Sequence, residues 1–231
     1  MTLRALIFDV DGTLAETEEA HRRAFNRTFD EAGLDWCWTV ADYKRLLKTT
    51  GGKERIRRHR DDIGARMPDD GEIARLHRRK TEIYGEIIAG GELSLRPGVA
   101  QLIQAAVDAG IRVAVATTTN LPNVETLCRA CWGRPATEVF EVIAAGDQVA
   151  AKKPAPDVFE LALSRLDLDP SQAIAFEDSL NGLKSARGAG LKVVVTPSAY
   201  TADEDFTGAE WVIPDLTRPN LPAPLLFGPD R

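Results

Sequence analysis

The stretch Leu6-Ile7-Phe8-Asp9-Val10-Asp11-Gly12-Thr13-Leu14 decides the fold. An apolar run ends in two carboxylates spaced two apart, followed by a glycine and a threonine. Alternate side chains of a strand share a face, so the spacing predicts that Asp9 and Asp11 point together where the strand ends. Two carboxylates that close repel unless a cation lies between them, which suggests a hard divalent metal with oxygen ligands. Gly12 lets the chain turn sharply just past the pair. Taken alone, the stretch also fits a surface turn after a buried strand, where Asp and Gly are common.

Working outward, 231 residues leave room for one large domain, or a core plus a smaller module. A 44% hydrophobic content with scattered charge describes an ordinary globular chain. The net charge of −6 argues against a general nucleic-acid coat. No apolar run approaches the roughly 20 residues that span a bilayer. The chain passes from Met1 straight into a strand with no signal-peptide pattern, so the expected location is cytoplasmic. The expected partner is a small molecule, with no nucleic acid and no membrane, and the chain is expected to be a monomer. Cys128 and Cys131 form a C-x-x-C on one face of an expected helix, without a second ligand pair nearby, and read as buried structural residues.

After the first strand, Glu16-Thr17-Glu18-Glu19 places acid at a helix start, where the dipole favours it. Ala20, Ala24, Phe25, Thr28, Phe29 and Ala32 recur at helical spacing, and Gly33 closes the helix. Trp36 and Trp38 lie in an irregular connection and read as core plugs. Helices are expected over 41–48, 53–63 and 71–89, with no strand among them. That is the pattern of a helical module inserted after the first strand, covering residues 16–91.

From Leu95 onward helices and strands alternate. Pro97-Gly98 opens a helix ended by Gly110, and apolar runs follow at 113–116, 142–144, 174–176, 193–195 and 212–213. Helical patterns separate them at 121–131, 156–166 and 181–189. Short continuous apolar strands alternating with helices imply a parallel sheet covered on both faces. The expected class is α/β: a Rossmann-like parallel sheet core (1–15 and 92–231) with an inserted small α-helical cap. The last 15 residues are Pro-rich and read as a surface tail.

Ligands of such sheets bind outside the carboxyl ends of the strands. There the sequence delivers Asp9 and Asp11, then Thr117-Thr118-Thr119-Asn120, whose hydroxyls and N–H groups precede a helix and suit an oxyanion. The plainer reading of that segment is a helix N-cap plus solvated threonines. Next come Lys152-Lys153-Pro154, with the lysine expected to be extended before proline, and finally Glu177-Asp178. Four carboxylates, hydroxyls and a lysine converging at one sheet edge form a coherent Mg²⁺ phosphate site.

Asp9-Val10-Asp11-Gly12-Thr13, Val115-Ala116-Thr117, Lys153-Pro154 and Glu177-Asp178 resemble, in order, the four motifs of the haloacid dehalogenase superfamily. The helical insert resembles that superfamily's type-one cap. Lys-Pro-Ala-Pro-Asp and Glu-Asp-Ser resemble the beta-phosphoglucomutase-like branch. Glu16-Thr17-Glu18 and the Lys48–Ile56 segment resemble its CbbY type, phosphatases of xylulose-1,5-bisphosphate associated with the Calvin cycle.

The resemblance implies that Asp9 is the nucleophile and forms an aspartyl-phosphate. Asp11 would protonate the leaving oxygen and then activate water. Asp9, the Asp11 carbonyl and Asp178 would hold Mg²⁺, with Glu177 as a direct or outer partner. Thr117 and Lys153 would bind the transferring phosphoryl oxygens.

The insert adds its own clue. Residues 44–60 carry eight Lys or Arg and one acid, Glu54, a charge of +7 that leaves −13 for the rest. Arg58 and Arg60 read as a solvated face, but the charges flank Thr50-Gly51-Gly52, whose N–H groups can approach a ligand closely. A second phosphate, contacted by Arg45, Thr50, Gly51, Gly52 and Lys53, favours a sugar bisphosphate. Cap closure is expected to bring this loop over the acids, Glu16 to meet a sugar hydroxyl, and Thr118 and Asn120 to contact substrate. His21 reads either as a structural helix-face residue or as a substrate contact. A phosphosugar mutase shares the same motifs, and a non-catalytic sugar-phosphate-binding regulator would lack the nucleophile. Gly51-Gly52-Lys53 lacks the remaining P-loop residues, and no G-x-G-x-x-G follows the first strand.

Overall fold

The computed structural model describes residues 2–91 and 93–227. Two compact units emerge: Met1–Glu16 with Leu93–Arg231, and Thr17–Glu92.

The first unit is built on six parallel strands: β1 (Ala5–Phe8), β2 (Arg112–Ala116), β3 (Val142–Ala144), β4 (Ala173–Glu177), β5 (Lys192–Val195) and β6 (Trp211–Val212). Their order is β3-β2-β1-β4-β5-β6, so β1 lies inside the sheet and the order reverses beside it. In register, Leu6 faces Val113 on one side and Ile174 on the other. All four residues of β1 are buried, as a strand covered on both faces requires.

The pleat sorts β1 into two cores. Leu6 and Phe8 pack with α5 (Val99–Asp108), α6 (Leu121–Trp132) and the short α7 (Ala136–Val139). Ala5 and Ile7 pack with α8 (Asp157–Leu166) and α9 (Leu180–Gly188). Of the apolar positions at helical spacing on α5, expected to form one buried stripe, Val99, Leu102, Ile103 and Ala106 are buried, whereas Val107 is exposed at the edge of that face. Cys128 is fully buried in the first core, and burial pushes its thiol up to about 12. That is the structural role expected for it.

The carboxyl-terminal stretch departs from its expected place on the surface. Leu225 and Phe227 are buried in the core beneath α5 and α6. Its prolines break regular structure, but the two apolar side chains still gain by leaving water. Residues 228–231 of that stretch lie outside the described residues.

The second unit contains α1 (Glu18–Glu31), α2 (Val40–Leu47), α3 (Gly52–Asp62) and α4 (Asp70–Ala89), each within about two residues of its expected span. Thr39 and Asp42 form a capping box on α2, and Asp69 and Glu72 form another on α4. Trp38 is fully buried against Phe25 and Phe29, the core plug that the sequence suggests.

Candidate active site

Asp9 follows β1 directly, its N–H donating to the Phe176 carbonyl at 2.9 Å and so extending the β1–β4 ladder by one bond. Its carboxylate is 6% exposed. Glu177 ends β4 and is also buried, followed by buried Asp178. One oxygen from each of Asp9, Glu177 and Asp178 lies within 4.8 Å of the others.

Lys153 enters this cluster from the loop before α8. Its Nζ donates to Asp9 Oδ1 at 2.6 Å, to Glu177 Oε1 at 2.6 Å and to the Ala116 carbonyl at 2.9 Å. The lysine sits in a turn, where the Ala155 N–H donates to the Lys152 carbonyl at 3.0 Å and the Lys153-Pro154 bond is cis. That turn directs the ammonium inward.

Burial pushes the Asp9 carboxyl up to about 8; Lys153 opposes the shift, and Glu177 and Asp11 add to it. Burial also works against the Lys153 ammonium, but Asp9 and Glu177 outweigh it and hold its pKa above the ordinary lysine value. The Lys153 shift, and the smaller part of the Asp9 shift that follows burial, reflect buried anions outnumbering the buried cation. Hard oxygen donors with surplus negative charge suit a divalent cation such as Mg²⁺.

The turn after Asp9 is compact, with the Leu14 N–H donating to the Val10 carbonyl and the Gly12 N–H to the Ala15 carbonyl, both at 2.9 Å. Gly12 has φ +84°, and a Cβ there would fall 2.2 Å from Asp178 Oδ2. The turn and Asp178 therefore touch, and only glycine permits it. Asp11, half-buried, sits within this turn. A Cβ on Gly182 in α9 would likewise fall 1.9 Å from the Glu177 carboxyl carbon.

Thr117 follows β2 and is buried, its Oγ1 accepting from the Thr119 N–H at 3.2 Å. Thr118 is half-buried. The Asn120 side-chain oxygen caps α6, accepting from the Asn123 N–H at 3.0 Å, so the plainer reading holds for that atom. Glu16 is exposed, with Oε1 3.5 Å from Arg96 Nε.

Within the helical unit, Thr50, Gly51 and Gly52 lead into α3, whose N-cap is Gly51 with no side-chain cap. Gly51, lacking a side chain, caps none of the first N–H groups of α3. Lys53 is exposed and, among the described residues, carries no ion pair. Arg45 pairs with Asp62 at 2.6 Å, an exposed contact of small energy. Arg58 pairs with Asp62 on an exposed face, as expected; Arg60, expected there too, is instead part-buried, pairing with Asp61 and donating from Nη1 to the Pro68 carbonyl at 3.2 Å. His21 is buried, stacked on Tyr84 with ring centroids 4.1 Å apart, and its Nδ1 lies 2.6 Å from Lys80 Nζ. This is the structural setting of the two readings offered for it.

Sequence reasoning missed the groups that hold this edge together. Arg96 carries no signal of its own in the sequence, because the following Pro-Gly reads as a helix opener. Thr201, whose hydroxyl donates to the Asp178 carbonyl at 2.7 Å, lies in a loop without periodicity.

Residues 3–190 match the family model of the haloacid dehalogenase-like hydrolases. The chain belongs to that family, and it is therefore an enzyme of the hydrolase class. Among its relatives is the protein CbbY of Rhodobacter capsulatus, 59% identical over 94% of this chain and 95% of that one. Two crystal structures of CbbY from Rhodobacter sphaeroides share the fold with a TM-score of 0.89. One, in complex with phosphate, is 56% identical; the other, a mutant in complex with xylulose-(1,5)bisphosphate, is 55% identical. Each covers 94% of this chain and 96% of its own.

Proposed function

We propose that this haloacid dehalogenase-like phosphatase hydrolyses a sugar phosphate, xylulose-1,5-bisphosphate, through an aspartyl-phosphate, with Mg²⁺ as its cation. The observation that carries the reading is the buried Lys153 ammonium bonded to both Asp9 and Glu177, with Asp178 alongside. A relative 55% identical over nearly the whole chain binds that bisphosphate.

In this reading Asp9 Oδ attacks phosphorus, forming the acyl-phosphate bond as the ester P–O bond breaks. Asp11 gives its proton to the departing sugar oxygen. Asp11 then takes a proton from water, whose oxygen attacks phosphorus, releasing phosphate and restoring the Asp9 carboxylate. Lys153 and the Thr117 hydroxyl face the phosphoryl oxygens, and Glu177 keeps Lys153 in place. Asp9, the Asp11 carbonyl and Asp178 would hold Mg²⁺, which when bound neutralises charge on the carboxylates and the transferring group.

The choice of a bisphosphate rests on the helical unit, whose Thr50-Gly51-Gly52 turn and exposed Lys53 suit a second phosphoryl group. The test is phosphate release from xylulose-1,5-bisphosphate and from pentulose and hexose monophosphates, with and without EDTA. Mg²⁺-dependent release, fastest with the bisphosphate, is expected. Formation of an isomeric sugar phosphate without free phosphate would make the protein a mutase instead.

A further inference from the structure

We infer that Arg96 is a positioning residue for the catalytic edge, stapling the turn that carries Asp11 to the loop after β5 that holds Asp178. The inference rests on the reading of Asp9, Asp11 and Asp178 as a cation-dependent phosphatase site. Arg96 clasps the turn twice: its backbone N–H donates to the Leu14 carbonyl at 2.8 Å, and its Nη1 donates to the Gly12 carbonyl. The same guanidinium reaches the other loop, where Nη1 donates to the Thr196 carbonyl at 2.7 Å and Nη2 to the Pro197 carbonyl at 2.8 Å.

From that loop the link continues to the acid cluster. The Ser198 N–H donates to Thr201 Oγ1 at 2.9 Å, and the Thr201 hydroxyl donates to the Asp178 carbonyl. The Asp178 carboxylate in turn lies against Gly12, where a Cβ would overlap it. A closed ring results, from Gly12 through Arg96, residues 196–201 and Asp178 back to Gly12. The Arg96 side chain, 10% exposed, is the ring's one cation. Its nearest carboxylate, Glu16, is the long contact at 3.5 Å, so the fork is committed mainly to backbone carbonyls.

Arginine suits this task because one planar fork spans acceptors on two segments at once. A lysine would keep the charge but offer a single nitrogen. Arg96 touches no reacting atom in this scheme. Its effect is to fix the Gly12 carbonyl, one peptide beyond Asp11, at a set distance from Asp178.

The test uses the full chain carrying Arg96→Ala or Arg96→Lys. Mn²⁺ binding is followed by electron paramagnetic resonance, alongside kcat, KM and the circular-dichroism melt. Both folded variants are expected to bind Mn²⁺ about tenfold more weakly or worse, the scale seen when partners that orient metal ligands are removed. kcat is expected to fall with KM little changed, and added guanidinium chloride at millimolar level to restore part of both in Arg96→Ala. Folded variants with wild-type Mn²⁺ affinity and kcat would overturn the inference, as would a lower melting temperature accompanied by neither change. If Arg96→Ala does not fold, Arg96→Lys decides by the same two readouts. Failure of the wild-type chain to bind Mn²⁺ would instead overturn the cation site, leaving the Arg96→Lys kcat to judge the staple.

Discussion

At the scale of single residues, the site depends on one imbalance. Asp9, Glu177 and Asp178 are buried together, and Lys153 is bonded to only two of them. The lysine orders Asp9, the proposed nucleophile, without neutralising the cluster. Replacing Asp9 with Asn is close to isosteric but removes the attacking charge. Turnover by Asp9→Asn is expected to drop on the order of a millionfold, as when other nucleophiles are removed. Bisphosphate binding, read by calorimetry, should survive in part; retained turnover would remove Asp9 from its role. The acids and Lys153 were legible because each follows an apolar strand. Their bonding was not, because Asp9 and Lys153 are 144 positions apart in the chain.

At the scale of elements, α3 has two ends that can be tested separately. Its start presents Gly51, Gly52 and exposed Lys53, and its end packs His59 edge-on against Trp36 and Trp38. For Lys53→Ala, kcat/KM is expected to fall about tenfold or more with a bisphosphate, the loss of one charge-assisted contact. A small artificial phosphoester should lose much less, and equal losses would show that this turn reads no second phosphate. Burial holds the His59 pKa below its ordinary 6.5, with Arg45 adding to the shift and Asp42 and Asp62 opposing it. The folded state therefore favours neutral imidazole, and the unfolded chain binds the proton more readily. That contribution to stability is complete above the unfolded value and is lost as pH falls through it toward the folded one. Between about pH 7.5 and about pH 5.5, the melting temperature should fall more in the wild-type chain than in His59→Phe. Identical falls would mean that His59 is not the group responsible.

At the scale of the whole molecule, the sheet order brings the proposed catalytic residues to one edge, and a core packs on each face of the sheet beneath it. The carboxyl-terminal stretch contributes to the first core through Leu225 and Phe227. Phe227→Ala removes a ring that is 6% exposed and is expected to cost about 3 kcal/mol, measured by urea unfolding. Phosphatase activity of the molecules that remain folded should be unchanged. A cost near zero would return this stretch to the surface role suggested by its prolines. Composition misled there because four prolines among the last 15 residues say how a chain cannot be structured, and two buried side chains decide where it lies.

The sequence by itself determined the parallel α/β core and the order of helices in the insert, and it marked Asp9, Asp11, Thr117, Lys153, Glu177 and Asp178 as candidates. Those are local signals: strand runs, caps and the residues just beyond strand ends. Only the tertiary structure decided that Lys153 bridges Asp9 and Glu177, that Lys80 lies beside His21, and that Arg96 joins the turn at Gly12 to the loop at Thr196. Each of these joins residues far apart in the chain, through acceptors that include plain backbone carbonyls. A carbonyl is present at every position, so no residue pattern marks the few that Arg96 holds. The pair of acids at the end of β1 is thus marked by the sequence, and the close approach of Gly12 to Asp178 appears only in the fold.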